Sequence, residues 1–337
     1  MSAPKDTQDN ASEKNGRPFD DMLRLIAAMP EADMAARSAV EDKLKSIPGG
    51  GDSLGGFQDH MVWLAGWQKR PVPAISQPLV AVFSGTHNVA AAYTEMDIVA
   101  ACKKRVADLT QGQSSVRGVA AGNNMAYKVY EMGLEYPAAD FTQTASLTER
   151  DSAAAMAFGM EVVAEGADII ALGNAGFGSV TGAAAIALAL YGGAADYWAN
   201  GDDKNAATRI DIVSRAYQKF KSDIAGPLDA LRHFGGRDIA GLVGAIVAAR
   251  HQSIPVVLDG YVVTAAAAIL HTIDPKAVDH CIAGQISAEP AHAALLERMG
   301  MSPLLKLDLG WGDGFGAALS VNMLRMGTEG YKSLTGQ

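Results

Sequence analysis

The chain has 337 residues, 49% of them hydrophobic and 19% charged, an ordinary balance for a globular protein of one large domain or two unequal ones. Its formal net charge of -9, without a clustered excess of lysine and arginine, excludes a nucleic-acid surface, and apolar runs such as Thr181–Leu190 are too short and alanine-rich to span a bilayer. Cys102 and Cys281, the two cysteines, make no disulfide framework and point to a reducing, cytoplasmic setting.

Residues 1–17 are polar and lack an apolar segment, so they read as a disordered tail rather than a signal peptide. Three helical patterns follow. Phe19–Met29 places Phe19, Met22, Leu23 and Ile26 on one stripe, and Glu31–Ser46 and Phe57–Lys69 continue the series. A glycine-rich connector, Pro48–Gly56, separates the last two.

From Pro78 the pattern changes to short apolar runs, each ending in a glycine-containing loop and an alanine-rich helical stretch. Leu79–Phe83 leads into Ser84–His87, and Ala167–Leu172 into Gly173–Gly178. Ile254–Leu258 leads into Asp259–Tyr261, and Leu304–Leu309 into Gly310–Gly316. Strand, tight loop and helix repeated at such spacing predict an α/β fold, a parallel Rossmann-like sheet with helices on both faces. Right-handed crossovers bring the loops to one edge of that sheet, where ligands bind. The Lys103-Lys104-Arg105 run reads as a solvated helix face, and Asn200–Asp211 as a surface loop entering a helix over Ile212–Phe220.

Four constellations have chemical potential. In Gly173–Thr181, glycines allow backbone N–H groups close to an anion, the following helix offers its positive end, and Ser179 and Thr181 add hydroxyls. A phosphate cradle and a tight turn for helix–sheet packing are both open, but no Gly-Lys-Ser/Thr follows to make a P-loop. Asp313, between glycines at a strand end, suits a general base or a helix cap. Ser287, before Glu289 and Pro290, suits a cap as well as a binding role. His87 follows a strand and fits a structural histidine as well as a catalytic one. His280, Cys281 and His292 match no standard zinc spacing, so no metal is expected.

Together these loops resemble one family, the phosphoribosyltransferases that prepare the lower ligand of cobalamin. The family loop G-E-M-G-I-G-N-T-T is similar to Gly173–Thr181, and its terminal R-L-G-E-G-T/S-G-A-A-L to Gly310–Leu319. P-V-I-I-D-G-F is similar to Pro255–Tyr261, H-V-S-A-E-P to Gln285–Pro290, G-S-L-G to Asp52–Gly55 and G-D/N-H-G-V to Gly85–Val89. Ala153–Gly166 and Gly235–Asp238 also look like the family, and the resemblance runs in order from Pro18 to Met326.

The resemblance implies transfer of phosphoribose from nicotinate mononucleotide to 5,6-dimethylbenzimidazole, with inversion, a carboxylate base and no cofactor. It implies a small-molecule nucleotide and an aromatic base as partners, and a homodimer. It also implies a small helical domain from helices in 18–77 and a returning helix in 321–337, around an α/β core of 78–320. Asp313 takes the position of the catalytic glutamate. Asn174, Gly176, Gly178, Ser179, Thr181, Arg209, Ser287, Glu289, His87, Lys104 and Phe315 take positions for substrate.

Several of these depart from the family pattern. Asp313 is one methylene shorter than glutamate, and Asn174 replaces a second glutamate. Gly310 stands near a missing arginine, and Phe315 where a small hydroxyl residue is usual. Thr86 and Asn88 alter the first loop. T-A-Q-M falls on Ala101–Arg105, with Lys104 at the glutamine, and Arg209 replaces a lysine. Two readings follow: a working transferase with a shifted base preference, or a paralogue that binds a nucleotide or base as a regulator or partner subunit.

Overall fold

The computed structural model describes residues 17–49, 52–201 and 203–337. The tail expected over 1–17 lies, Arg17 excepted, outside the described residues, as do Gly50 and Gly51 of the connector.

Six strands form one sheet: β1 (Pro78–Ser84), β2 (Ala126–Glu131), β3 (Ile169–Asn174), β4 (Val256–Asp259), β5 (Cys281–Ser287) and β6 (Leu305–Leu309). All neighbours are parallel, in the order β2-β1-β3-β4-β5-β6. The chain moves outward from β1 to β2, then returns to β1's other side with β3. The order therefore reverses between β1 and β3, and a crevice opens beyond their carboxyl ends.

The central strands β1, β3 and β4 are buried on both faces, as inner parallel strands require, while the edge strands β2 and β6 are largely exposed. Leu79, Ala81 and Phe83 of β1, Ile170 and Leu172 of β3, and Val256 and Leu258 of β4 point into one core. Val80, Val82, Ile169, Ala171 and Val257 point into the other, following the two-residue period of a strand. The alanine-rich helices Ser179–Tyr191, Arg237–His251 and Gly260–Ile273 close the first face. Helices Phe57–Gln68, Ser115–Gly122 and Phe315–Thr335 close the second.

The helical patterns at the start become Pro18–Ala27, Met34–Lys45 and Phe57–Gln68. The second begins later than its periodicity suggested because Asp33 caps it, accepting the Ala36 N–H at 2.9 Å. Phe19, Met22 and Ile26 of the first helix join the first core, whereas the other two helices join the second. One continuous helix, Phe315–Thr335, crosses the boundary expected between residues 320 and 321. β2 and β5 were not expected, and the Asn200–Asp211 loop gives way to helix at Ala206.

A buried cation fastens the early helices to the core. Arg250 donates to Pro30 O at 2.7 Å and Lys276 O at 2.8 Å, and its guanidinium lies 4.2 Å from the Trp67 ring centroid. Trp67 Nε1 in turn donates to Asp279 O at 3.1 Å.

Candidate active site

The loops after β1, β3 and β6 meet at the sheet's carboxyl edge. Beyond the strands, Phe177 N donates to Gly85 O at 2.9 Å and His87 N to Phe177 O at 3.1 Å, so the first two loops stay paired. Asn174 N donates to Gly312 O at 2.7 Å, which draws in the third. A Cβ on Gly173 would stand 2.4 Å from the Asp313 carbonyl carbon, so the missing side chain is what permits this approach.

A buried network supports the β3 loop. Asp238, at the start of the Arg237–His251 helix, accepts from His87 Nε2 at 2.8 Å, Ser179 Oγ at 2.6 Å and Asn174 Nδ2 at 2.8 Å. Burial pushes its carboxyl up, but the imidazole and the three donated hydrogen bonds outweigh that and hold it down at about 2. Asn174 Oδ1 also accepts the Gly176 N–H at 3.0 Å, which shapes the turn.

Asp259 supports the β6 loop. Its Oδ2 accepts from Gly314 N at 2.7 Å and Gly316 N at 3.1 Å, and its Oδ1 from Gln285 Nε2 at 2.9 Å. Burial dominates here, with the Asp313 charge adding to it against these hydrogen bonds, and the carboxyl rises to about 7. Asp313 itself accepts from Phe315 N at 3.3 Å, and burial raises it from the ordinary carboxylate range.

Two cavities open onto these loops. The larger, about 540 Å³, is lined by Gly176, Gly178, Thr181, Arg209 and Glu289 among others. The smaller, about 320 Å³, is lined by Asp313. Arg105 and Trp311 line both, so they form the shared wall.

In the larger cavity Arg209 grips Asp203 through both terminal nitrogens, at 2.7 and 3.0 Å. Arg209 Nε and Glu289 Oε2 are buried without a partner among the described residues. A buried donor and acceptor left unpaired cost about 1–3 kcal/mol each. Burial raises the Glu289 carboxyl, while Ser287 and Arg209 oppose that rise.

Six expected site residues lie elsewhere. Asn174, Ser179 and His87 turn inward to Asp238, so they shape the loop from beneath. Ser287 ends β5 and bonds His292 Nδ1 at 2.9 Å; neither it nor Glu289 makes a side-chain cap for the helix from Pro290. Phe315 packs against the second core. Lys104 reaches outward to Asp108 at 2.6 Å, and its neighbour Arg105, expected on a solvated face, enters the cleft instead. Helical geometry explains the exchange: Ile98, Cys102, Val106 and Leu109 form the buried stripe, and Arg105 flanks it.

Arg105, Trp311, Tyr93, Asp203, Asp238 and Asp259 were not singled out from the sequence. His280 and His292, from which no metal site was expected, bond separately to Ile246 O and to Ser287 and Thr264. Among the described residues, no cluster of His, Cys, Asp and Glu could hold a metal, and no helix is long and apolar enough to cross a membrane.

The crevice at the strand reversal is thus walled by glycine loops and lined by the carboxylates Asp203, Glu289 and Asp313 and the arginines Arg105 and Arg209, an arrangement suited to a phosphoribosyltransferase. The model of a family described as phosphoribosyltransferase matches residues 29–335. A nicotinate-nucleotide–dimethylbenzimidazole phosphoribosyltransferase of Brucella melitensis is 40% identical over 315 residues, covering 92% of this chain and 93% of that protein. Its Brucella anthropi counterpart is 39% identical over the same span. A solved structure of the Thermus thermophilus enzyme of that name aligns with a TM-score of 0.81 at 26% identity, covering 89% of this chain and 96% of its own. The chain belongs to the nicotinate-nucleotide–dimethylbenzimidazole phosphoribosyltransferase family.

Proposed function

We propose that the chain transfers phosphoribose from nicotinate mononucleotide to 5,6-dimethylbenzimidazole or a related base, yielding α-ribazole 5'-phosphate and nicotinate for cobalamin assembly. The observation that carries this reading is the convergence of the Asp313 loop and the Gly176–Thr181 loop on adjoining cavities with one shared wall. In the larger cavity the phosphate lies against Gly176, Gly178 and the Arg209 guanidinium, and Glu289 accepts a ribose hydroxyl. In the smaller one the acceptor base presents its N–H to Asp313.

As an acceptor nitrogen forms a bond to the anomeric carbon, the bond to the pyridinium nitrogen breaks. Its electron pair stays with the departing nicotinate, and the acceptor's N–H proton passes to Asp313. The carboxylate's raised affinity for protons favours that transfer at neutral pH. The inward-facing residues Asn174, Ser179, His87 and Ser287 hold the loops in place. The same reading carries a cytoplasmic homodimer. It also carries a small helical unit from 18–77 and 321–337 on a core of 78–320; the Met34–Lys45, Phe57–Gln68 and Phe315–Thr335 helices do pack together, in a core they share with the sheet.

The purified chain, given nicotinate mononucleotide and dimethylbenzimidazole, is expected to release nicotinate and α-ribazole phosphate in equal amounts. Asp313→Ala is expected to lower kcat by about 10²–10⁴-fold while the nucleotide still binds. Ligand binding without product across benzimidazoles, adenine and phenols would instead mark a binding subunit.

A further inference from the structure

The Arg105 guanidinium is an unusual group to find between two substrate cavities. Burial disfavours its charge, and Asp313, with a smaller contribution from the Cys102 thiol, offsets this. No hydrogen bond or ion pair engages it among the described residues, and it stacks 4.0 Å from the Trp311 ring centroid. A guanidinium stacked on an indole keeps its N–H groups pointing outward in its own plane, the geometry that grips a carboxylate through two parallel hydrogen bonds.

The cleft therefore has two cations on separate helices in separate surroundings. Arg209 sits with Asp203 and Glu289, and Arg105 with Asp313 and Trp311. The donor nucleotide of the proposed reaction carries two anionic groups at its two ends, the phosphate and the pyridine carboxylate. The acceptor benzimidazole is neutral and offers a guanidinium no carboxylate for a paired, charge-assisted grip. A bare guanidinium near the anomeric carbon would also oppose the positive charge that develops on the sugar, whereas one neutralised by a carboxylate would not.

Resting on the donor reading above, we infer that Arg105, held against Trp311, binds the pyridine carboxylate and makes the chain select the acidic nucleotide over its amide. Arg105 is in this account a specificity-determining residue that holds the leaving group, and Asp313 remains the proton acceptor for the incoming base.

Calorimetric titration of the full chain with nicotinate mononucleotide and with nicotinamide mononucleotide tests this. The wild type is expected to bind the acid about 10- to 100-fold more tightly, the range of one charge-assisted pair. Arg105→Met is expected to bring the two affinities within about 3-fold of each other, chiefly by weakening the acid. Arg105→Lys, which keeps the charge and loses the planar fork, is expected to fall between. Thermal melts of each variant check that it is folded.

An unchanged acid-to-amide ratio in Arg105→Met, with binding intact, overturns the inference and leaves the transferase reading standing. A rise in the KM for dimethylbenzimidazole without any change in that ratio also overturns it, placing Arg105 on the acceptor side. Failure of the wild type to bind either nucleotide overturns both readings.

Discussion

The loops after β3 and β6 follow one plan with two different foundations. Each leaves a strand through glycines and turns at a glycine of positive φ (Gly178 at 92°, Gly314 at 98°) that immediately precedes a helix. Each rests on a buried aspartate from elsewhere in the chain. Asp238 meets an imidazole and holds its proton affinity down at about 2, whereas Asp259 meets only amide groups and rises to about 7. Similar burial thus yields opposite results, and the histidine is the main difference. The loop assigned to phosphate has a permanently charged frame, while the loop of the proposed base has a frame that titrates near neutrality.

The largest expected effect comes from removing the charged frame. Asp238→Ala leaves His87, Ser179 and Asn174 facing an empty acceptor site and should cost about 3–5 kcal/mol in urea unfolding. A loss below about 1 kcal/mol would show that the network is no frame at all. Next comes Asp259→Ala, which frees Gly314 N and Gly316 N and lets the Asp313 loop shift. A displacement of about 1 Å can cost on the order of 10²-fold, so kcat should fall about 10- to 100-fold with the nucleotide KM within about 3-fold. Equal changes in kcat and KM would erase the distinction between the loops.

The smallest effect tests the titration itself. Asp259 binds its proton more tightly folded than unfolded, so its contribution to stability is full below about pH 4 and declines as pH rises through about 7. Between pH 6 and pH 8 that amounts to about 1 kcal/mol. Asp259→Asn can keep both loop hydrogen bonds through its carbonyl oxygen, and Gln285 Oε1, which has no partner among the described residues, can accept from the new amide. This variant should retain the fold and lose that part of the pH dependence in chemical-denaturation series. A slope identical to wild type would place the titrating group elsewhere.

Much of the architecture was legible because β1, β3 and β4 are apolar runs ending at glycine loops, whose burial on both faces writes itself into composition, and because β6, though an edge strand, keeps three leucines before Gly310. β2 escaped because it is an edge strand, Ala126–Glu131, with Lys128 and Glu131 exposed. β5 escaped because Gly284 and Gln285 interrupt its apolar run, one for a close approach to Val257 and Ala317, the other to hold Asp259. Of the candidate site residues, the glycines of the β3 loop, Arg209, Glu289 and Asp313 line the two cavities. The pairing of His87 with Asp238 was not legible, because the two lie 151 residues apart and meet only once the sheet is built. Arg105 was hidden in a charged run, and only the direction of its helix face separates it from Lys104.

The two positive-φ glycines carry a consequence for the gene. Every missense change in a glycine codon adds a β-carbon, and at φ of 92° or 98° any β-carbon is strained, whatever group it bears. In a saturation-mutagenesis screen selected for function, codons 178 and 314 should therefore appear as two sparse columns, with asparagine and aspartate the replacements best tolerated. They would mark both halves of the cleft without any substrate having been supplied.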